Sequence, residues 1–357
     1  MATRPTTAVL FLVSLSGAIG CSIITEADEV GLTYADDLGE DDDSESAPES
    51  SSEETAEGSE SSADSDTGGV SSFRVAVLAD PHVVGPDYVG GDENLEGTQE
   101  QLEILLDELS MIDPAPAFAV VLGDLVHDPY FSTAVEDYTQ QPNAFATVDA
   151  LFGELDFPVY PVFGESDYGV PEVERTFSHD VFAQVFATDR YYSVTRGEWR
   201  FIFANSQAGP TFEEMATIYD TGVGSFGVPQ LTWIVDQLTD DTPTVLLTHF
   251  PVGQTAPDEA PQNEPVRGLS TVIGNQGGNL ALILSGHTHI WANHPDTFSA
   301  PAYEFGATRY DTDNFLLFEF SSDGSFELLD GDKVQWGTPN ADNWDYSQGP
   351  PVPVQDP

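Results

Sequence analysis

The sequence predicts an α/β fold built on a parallel β-sheet, because short apolar, β-rich runs alternate with helical patterns. The first run, "FRVAVLAD", ends in a polar turn and is followed by residues 96–112, whose leucines fall on one face of a helix. Two further runs, "AFAVVLGD" and "FPVYPVFGE", are separated by a helical pattern near residues 144–155. Strand, helix, strand, helix, strand predicts parallel strands joined by right-handed crossovers.

The second half of the folded region predicts a different strand arrangement. "RYYSVTR" and "EWRFIFANS" flank a glycine turn, which is typical of an antiparallel hairpin. "VPQLTWIVDQL" predicts a helix with Pro229 near its start. The apolar side chains expected on its buried face are Leu231, Ile234, Val235 and Leu238. Strands are expected at "TVLLTHFP" and "LALILSGHTH", and three β-like runs between residues 300 and 329.

Composition separates a folded domain from a highly charged segment. The 357 residues carry 62 Asp and Glu against 9 Lys and Arg, a formal net charge of −53, which makes nucleic acid an unlikely partner because its phosphates would be repelled. Residues 22–70 are acidic and serine-rich and predict a disordered linker. The domain is expected over residues 71–332 and a loose tail over 333–357. Salt would screen the repulsion among so many acidic side chains, which suggests a halophilic source. The alternative is an acidic secreted protein that does not require salt.

The amino terminus predicts export. Residues 1–21 contain Arg4 and then an apolar run, 8–19, that is too short to span a bilayer and is typical of a signal peptide. "AIGC" resembles a bacterial lipobox, in which Cys21 would be lipidated, and a plain signal peptide with a chance cysteine is the alternative. We therefore expect a lipid-anchored protein of the cell envelope, held to a membrane through Cys21, on the outer membrane, in the periplasm or at the surface.

Acidic and histidine side chains recur where the apolar runs end. They occur in five turns, and in order along the chain they are Asp80 and His82, Asp124 and His127, Glu165, His249, and His287 with His289. Each turn alone is more often explained by capping, by a core histidine or by a polar edge strand. Together they predict one crevice of oxygen and nitrogen ligands suited to two ions of Mn, Fe or Zn.

The order Asp-x-His, Gly-Asp, Gly-Glu-Ser-Asp, His and Gly-His-x-His resembles that of the calcineurin-like metallophosphoesterases, over roughly residues 73–329. The resemblance implies a four-layer α/β/β/α sandwich of two mixed sheets. It also implies hydrolysis of a phosphate ester at two divalent or mixed-valence metal ions. The implied ligands are Asp80, His82 and His289 for the first metal, Asp124 for both, and Glu165, His249 and His287 for the second.

One turn departs from the family pattern, because "GESD" stands where the family has "GNHD". Glu165 replaces a neutral amide ligand with an anion, so we expect tighter metal binding and weaker attraction of a phosphate. Ser166 replaces the histidine that in the family contacts the phosphate and assists the leaving group, and serine does not titrate near neutral pH. Asp167 keeps the family's acidic position without its histidine partner, which favours a capping role.

Six further side chains enter the prediction less directly. His127 follows Asp124 at the offset where the distantly related purple acid phosphatases carry a metal-binding tyrosine, and an ordinary loop histidine is the alternative. His179 and His294 are expected at the surface. Because basic residues are scarce, the arginines are candidate phosphate clamps: Arg175, Arg267 and Arg309.

The sequence therefore leaves two functions open. The first is hydrolysis of a phosphomonoester or phosphodiester by an exported lipoprotein. The second is a metal-binding surface protein of impaired activity that uses the fold for recognition, as the pair Glu165 and Ser166 suggests. A nuclease is disfavoured by the charge.

Overall fold

The computed structural model describes residues 71–339 apart from 87, 91–94, 141, 260–266, 296–297, 311–313, 330, 332–333 and 335. The predicted signal peptide, Cys21 and the acidic linker lie outside the described residues. Among the residues that are described, no helix is both long and apolar enough to cross a bilayer.

Six α-helices flank the sheets in the described part of the chain. They are α1 (Thr98–Ser110), α2 (Asp137–Gln140), α3 (Ala144–Phe152), α4 (Arg175–Phe186), α5 (Gly227–Gln237) and α6 (Leu269–Gln276). Single 3₁₀ turns lie at Pro210–Phe212, Val252–Gln254, Gly277–Asn279 and Thr308–Tyr310. Helix α3 begins where the Asn143 side chain accepts a hydrogen bond from the Ala146 amide, so its first turn is capped.

The described strands number fourteen. They are β1 (Ser72–Leu78), β2 (Val83–Val84), β3 (Phe118–Val121), β4 (Val126–His127), β5 (Val159–Pro161), β6 (Tyr192–Arg196), β7 (Trp199–Ala204), β8 (Thr244–Thr248), β9 (Leu280–Ser285), β10 (Ile290–His294), β11 (Ala302–Glu304), β12 (Phe315–Ser321), β13 (Phe326–Leu329) and β14 (Thr338–Pro339).

The strands form two mixed sheets and a short two-stranded pair. The smaller sheet has the order β13-β12-β1-β3-β5, with β1, β3 and β5 parallel as predicted and β12 antiparallel to β1. The larger has the order β14-β10-β11-β9-β8-β7-β6. In it β7, β8, β9 and β11 run parallel, and β6 forms the predicted antiparallel hairpin with β7. Strands β2 and β4 pair on their own.

Three apolar clusters show that the layers stack as helix, sheet, sheet, helix. Alternate side chains of β1 face opposite sides: Ala76 and Leu78 pack against helices α1, α3 and α4, whereas Val75 and Val77 pack between the two sheets. On the far side of the larger sheet, Ile202 of β7 packs against helices α5 and α6. The predicted four-layer α/β architecture is therefore confirmed.

Some elements differ from the sequence prediction. Helices α4 and α6 and strand β10 were not predicted, and Val235 is half-buried beside its fully buried neighbour Ile234. The domain also continues beyond residue 332. Val334 is buried, Trp336 packs against Trp291, and β14 pairs with β10, so residues 334 and 336–339 pack against the larger sheet instead of belonging to a loose tail.

Candidate metal centre

The candidate ligands all follow strands of the two sheets. Asp80 and His82 come after β1, Asp124 after β3, Glu165 after β5, His249 after β8, and His287 with His289 after β9. These five strands are parallel within their own sheets, so their carboxyl ends meet at one edge of each. The predicted convergence of strand-end turns is therefore the arrangement that the chain adopts.

The first ligand group consists of Asp80, His82 and His289, whose donor atoms lie within 4.8 Å of one another. His82 Nε2 is 3.3 Å from His289 Nε2, and His289 Nε2 is 3.5 Å from Asp80 Oδ1. Asp80 is fully buried and His82 is 4% exposed. One carboxylate and two imidazoles therefore face a common point beneath the surface.

The second ligand group consists of Glu165, His249 and His287. His287 Nδ1 lies 3.3 Å from Glu165 Oε2, and the His287 ring packs on Phe250 with 4.0 Å between ring centroids. His249 Nδ1 donates to the Leu122 carbonyl at 2.8 Å, which leaves Nε2 with its lone pair directed into the centre. This nitrogen is buried and makes no hydrogen bond within the described part of the chain.

A third group, Asp80, Asp124 and His249, joins the other two. Asp124 Oδ1 lies 3.3 Å from His249 Nε2, and Asp124 Oδ2 lies 3.3 Å from His82 Nε2. The two oxygens of this one carboxylate therefore face ligands of both groups. Asp124 occupies the position between two sites that the resemblance assigned to it, and its role there stays a prediction.

The backbone at these turns is strained in a shared way. Five candidate ligands adopt positive φ angles between 47° and 70°: Asp80, His82, Asp124, His287 and His289. A left-handed conformation costs a non-glycine residue about 1 kcal/mol or more. Five such residues around one point show that the fold directs these side chains toward it at a substantial cost in backbone conformational free energy. Such strain is typical of functional sites.

Ser166 and Asp167 connect the turn after β5 to the turn after β3 through hydrogen bonds. The Ser166 amide donates to Asp124 Oδ1 at 2.8 Å, and its hydroxyl donates to Asp124 Oδ2 at 3.0 Å. The buried Asp167 carboxylate accepts from the Gly164 amide at 2.8 Å and from the Val126 amide at 3.1 Å. Asp167 thus ties the turn after β5 to the turn after β3, and Ser166 orients the carboxylate between the two ligand groups.

Burial and crowding shift the acid–base properties of the carboxylates in opposite directions. Burial opposes ionisation of Asp80, but the neighbouring imidazoles, His289 foremost, outweigh it and lower the pKa of Asp80. Burial, then the charges of Glu165 and Asp80, raise the pKa of Asp124 to about 8. Burial likewise opposes ionisation of Glu165, but its contact with His287 lowers the pKa of Glu165. The same contact raises the pKa of His287 against the opposing effect of burial.

These observations fit a metal centre. The carboxylates of Asp80, Asp124 and Glu165 meet here, and although burial is the main cause of the raised pKa of Asp124, the charges of the other two add to it by repulsion. A cation between the groups would offset it. The donor set of carboxylate oxygens and imidazole nitrogens suits Mn, Fe or Zn, and the ligand groups described above supply two adjacent positions.

The remaining candidates are in none of the three described ligand groups. His127 lies beside His82, with 5.7 Å between the centroids of the two tilted rings. His179 is 3% exposed, so the surface position expected for it is wrong. It lies on the buried face of helix α4. His294 is half-exposed and contacts Glu304.

Two of the candidate arginine clamps are engaged elsewhere, whereas Arg309 lies beside the centre, where its backbone amide is 3.4 Å from the Asp80 carbonyl oxygen. Arg175 donates to the carbonyls of Ala208 and Gly209, and Arg267 pairs with Asp258. Arg309 is buried beside Tyr310. Sequence reasoning did not foresee the contact of Asp80 with His249, or that the Ser166 hydroxyl reaches Asp124, because both depend on turn conformations that no residue pattern specifies.

Comparison with known proteins identifies the family through one family model. Residues 73–291 match the family model of the calcineurin-like phosphoesterases. A dimetal phosphatase from Danio rerio is similar in structure, at 15% identity over 70% of this chain and 95% of that chain, with a TM-score of 0.47. A calcineurin-like phosphoesterase from Bacillus subtilis is 13% identical over 73% of this chain and 89% of that one, with a TM-score of 0.41.

A purple acid phosphatase from yellow lupin seeds is 13% identical over 73% of this chain and 53% of that one, with a TM-score of 0.40. The comparison with curated proteins finds no significant match. The family match spans more than half of the chain and contains all of the strand-end turns that carry the candidate ligands. The chain belongs to the calcineurin-like phosphoesterase family.

Proposed function

We propose that this protein hydrolyses a phosphomonoester or phosphodiester at a centre of two metal ions, of Mn, Fe or Zn. The observation that carries the proposal is the placement of Asp124, whose two oxygens face His249 of one ligand group and His82 of the other at 3.3 Å each. Asp80, His82 and His289 would hold one ion, Glu165, His249 and His287 the other, and Asp124 both. Bound there, two ions supply Lewis-acid charge to a phosphoryl group and lower the pKa of water.

The chain's own side chains would position this chemistry. The Leu122 carbonyl fixes the tautomer of His249, and Phe250 fixes the ring of His287. Ser166 holds the Asp124 carboxylate through two hydrogen bonds. Because Ser166 occupies the position of the family's histidine, proton donation to the leaving group has no obvious protein source in this turn. We therefore propose that esters of acidic alcohols, which leave without protonation, are the better substrates.

The test is the substitution Asp124→Asn in protein reconstituted with Mn²⁺. Asn keeps the size of the side chain but removes the charge that faces both ligand groups, so hydrolysis of a chromogenic phosphate ester should fall to background. Asp236→Asn is the matched control, because Asp236 is an exposed carboxylate on helix α5. Unchanged turnover in Asp124→Asn, or equal loss in both variants, would contradict the proposal.

A second function remains in view because of Glu165 and Ser166. Glu165 contacts His287 and adds a third carboxylate to the centre, which weakens its attraction for a phosphate anion. The alternative is a metal-binding surface protein of impaired activity. The double variant Glu165→Asn with Ser166→His separates the two functions. If the wild type is nearly inactive and the double variant hydrolyses phosphate esters much faster, the result supports a metal-binding protein of impaired activity. If the wild type is active and the double variant loses that activity, the result supports a turn adapted to its own substrate.

We also propose that the protein is an exported lipoprotein anchored through Cys21 in the cell envelope. The support is the sequence alone, namely the apolar run and "AIGC". In a bacterial host, the full chain should enter the detergent phase on extraction, and Cys21→Ser should remain in the aqueous phase. Equal partitioning of the two proteins would reject the anchor.

A further inference from the structure

The turn after β9 supplies a candidate ligand to each side of the candidate metal centre. His287 belongs to the second ligand group and His289 to the first. Both residues adopt left-handed backbone conformations, with φ angles of 70° and 52°. Such conformations persist in non-glycine residues only where the surrounding structure holds them in place. The contacts of this one turn therefore bear on both metal positions.

Backbone amides hold the first half of this turn. The Gly286 amide donates to the His249 carbonyl at 3.1 Å. The His287 amide donates to the Asp80 carboxylate and lies 3.2 Å from each of its two oxygens. These bonds join the turn to two other candidate ligands, and they fix the backbone as far as His287.

The second half of the turn is tied to the neighbouring strands by the side chain of Thr288, which stands between the two histidines. Thr288 Oγ1 donates to Glu304 Oε2 of β11 at 2.8 Å. The other oxygen of this carboxylate, Glu304 Oε1, accepts from His294 Nε2 of β10 at 2.9 Å. His294 lies two residues beyond Ala292, the residue that pairs with Glu304, so the two side chains are diagonal neighbours on one face of the sheet. Both oxygens of Glu304 are therefore engaged, which gives the carboxylate one defined position.

Glu304 is itself rigidly placed beside the turn. It pairs with Ser285, the last residue of β9, in the parallel register of β9 and β11. The amide of the next residue, Phe305, donates to the Ser285 carbonyl at 2.9 Å. The Glu304 side chain is only 17% exposed, and a hydrogen bond to an ionised acceptor is about twice as strong as one between neutral groups. A hydroxyl held by this carboxylate is therefore a firm support for the turn.

We propose that Glu304 is a positioning residue of the metal centre. Through Thr288 it holds the turn that directs His287 and His289 at two adjacent ions, and His294 keeps its carboxylate in place. The inference rests on the metal centre of the proposed function and adds no ligand to it. Loss of a group that orients metal ligands typically lowers metal affinity by about 10- to 100-fold. Because the two histidines belong to different ligand groups, loss of Glu304 should weaken both metal positions together.

The experiment measures metal binding instead of turnover. Calorimetric titration with Mn²⁺ compares the full chain with Thr288→Val, which keeps the branched shape and removes the hydroxyl, and with Glu304→Ala, which removes the carboxylate. Affinity should fall about 10-fold or more in each variant. The double variant should lose no more than the weaker-binding single variant, because both groups act through one hydrogen bond. Thr288→Ser retains the hydroxyl and should restore most of the affinity.

Two controls separate positioning from general stability. Glu319 is a half-buried carboxylate on β12 that pairs with Arg74 at 3.3 Å, near the amino end of β1 and away from the ligands, so Glu319→Ala should bind Mn²⁺ normally. Electron paramagnetic resonance of Mn²⁺-loaded Thr288→Val should show a changed coupling between the two ions, since their ligands have moved. The Tm of each metal-free variant reports stability separately.

The outcomes separate this inference from the proposed function. Wild-type affinity and coupling in Thr288→Val and Glu304→Ala would overturn the positioning role. A lower Tm of the metal-free variants with unchanged Mn²⁺ affinity would also overturn it, because the contact would then serve the fold alone. If Glu304→Ala does not fold, Thr288→Val carries the same test.

Turnover of a phosphate ester by the wild type adds the second comparison. A wild type that binds two ions without hydrolysis, together with weakened binding in the variants, would support the role of Glu304 and contradict hydrolysis. Hydrolysis by the wild type with unchanged affinity in the variants would do the reverse. A wild type that binds no Mn²⁺ would overturn both.

Discussion

Replacing Gly164 with alanine should disrupt the candidate metal centre although no candidate ligand is itself replaced. Gly164 follows β5 and precedes Glu165. A Cβ atom on it would lie 1.9 Å from the Asp124 amide nitrogen and 2.2 Å from Asp124 Oδ1. Real Cβ atoms do not approach other atoms within 3.0 Å, so one of the two turns must shift by about 1 Å. The obstacle is partly backbone, so no side-chain rotation relieves it.

The shift separates Asp124 from the groups that position it. We expect the free energy of unfolding to fall by about 3 kcal/mol, which for a domain of this size lowers the Tm by roughly 6–12 °C. Metal affinity should fall roughly 10- to 100-fold, as it does when groups that orient ligands are displaced. Thermal unfolding without metal and calorimetric titration with Mn²⁺ measure the two effects separately.

The matched control is Gly274→Ala on the exposed face of helix α6. A Cβ there meets nothing within 4 Å, so this variant should be stabilised by about 0.5–1 kcal/mol and should bind metal normally. If Gly164→Ala kept the Tm and the metal affinity of the wild type, the close contact of the two turns would be refuted.

Burial, and then the charges of Arg190 and Arg175, lower the pKa of His179 to about 3. The unfolded chain therefore binds a proton near pH 6.5 that the folded chain does not bind, so the free energy of unfolding should fall as the pH drops below 6.5. The free energy of unfolding of His179→Phe, measured in urea, should rise relative to that of the wild type by about 2–3 kcal/mol as the pH is lowered from 7 to 4.5. A difference between the two proteins that stays constant with pH would contradict this. For protein kept at a free metal concentration of 1,000 times Kd, excess EDTA should lower the free energy of unfolding by about 4 kcal/mol. An unchanged Tm after EDTA treatment would contradict bound metal. Phe201→Ala, between the sheets, should cost about 3–5 kcal/mol while metal stoichiometry persists; a smaller loss would argue against close packing there.

Much of the metal centre follows from topology that the sequence reveals. Asp80, Asp124 and Glu165 end successive β-rich runs, and parallel strands joined by helices place such ends on one edge. The strand-end pattern also predicted that His249 and His287 would join them. That these two residues come from a second sheet followed from the family resemblance, because residue spacing does not specify how two sheets face each other. Packing between the sheets, as by Phe201 on Phe118, establishes that relation.

Other features depend on backbone conformation and could not be predicted from residue patterns in the sequence. The left-handed geometry of His287 and His289 is set by contacts at the end of β9, such as the His287 amide donating to Asp80. The burial of His179 required knowing that residues 175–186 form a helix, whose apolar side chains were present in the sequence but were not identified as a helical face.

The central claim is that carboxylates and imidazoles from both sheets hold two ions side by side. Electron paramagnetic resonance of the Mn²⁺-loaded chain tests it most directly, because two Mn²⁺ ions about 3.5–4 Å apart give an exchange-coupled spectrum. We predict two ions per chain with that coupled signal, and its loss in Asp124→Asn. Two uncoupled ions, or a single ion with the signal of isolated Mn²⁺, would contradict the two-metal centre.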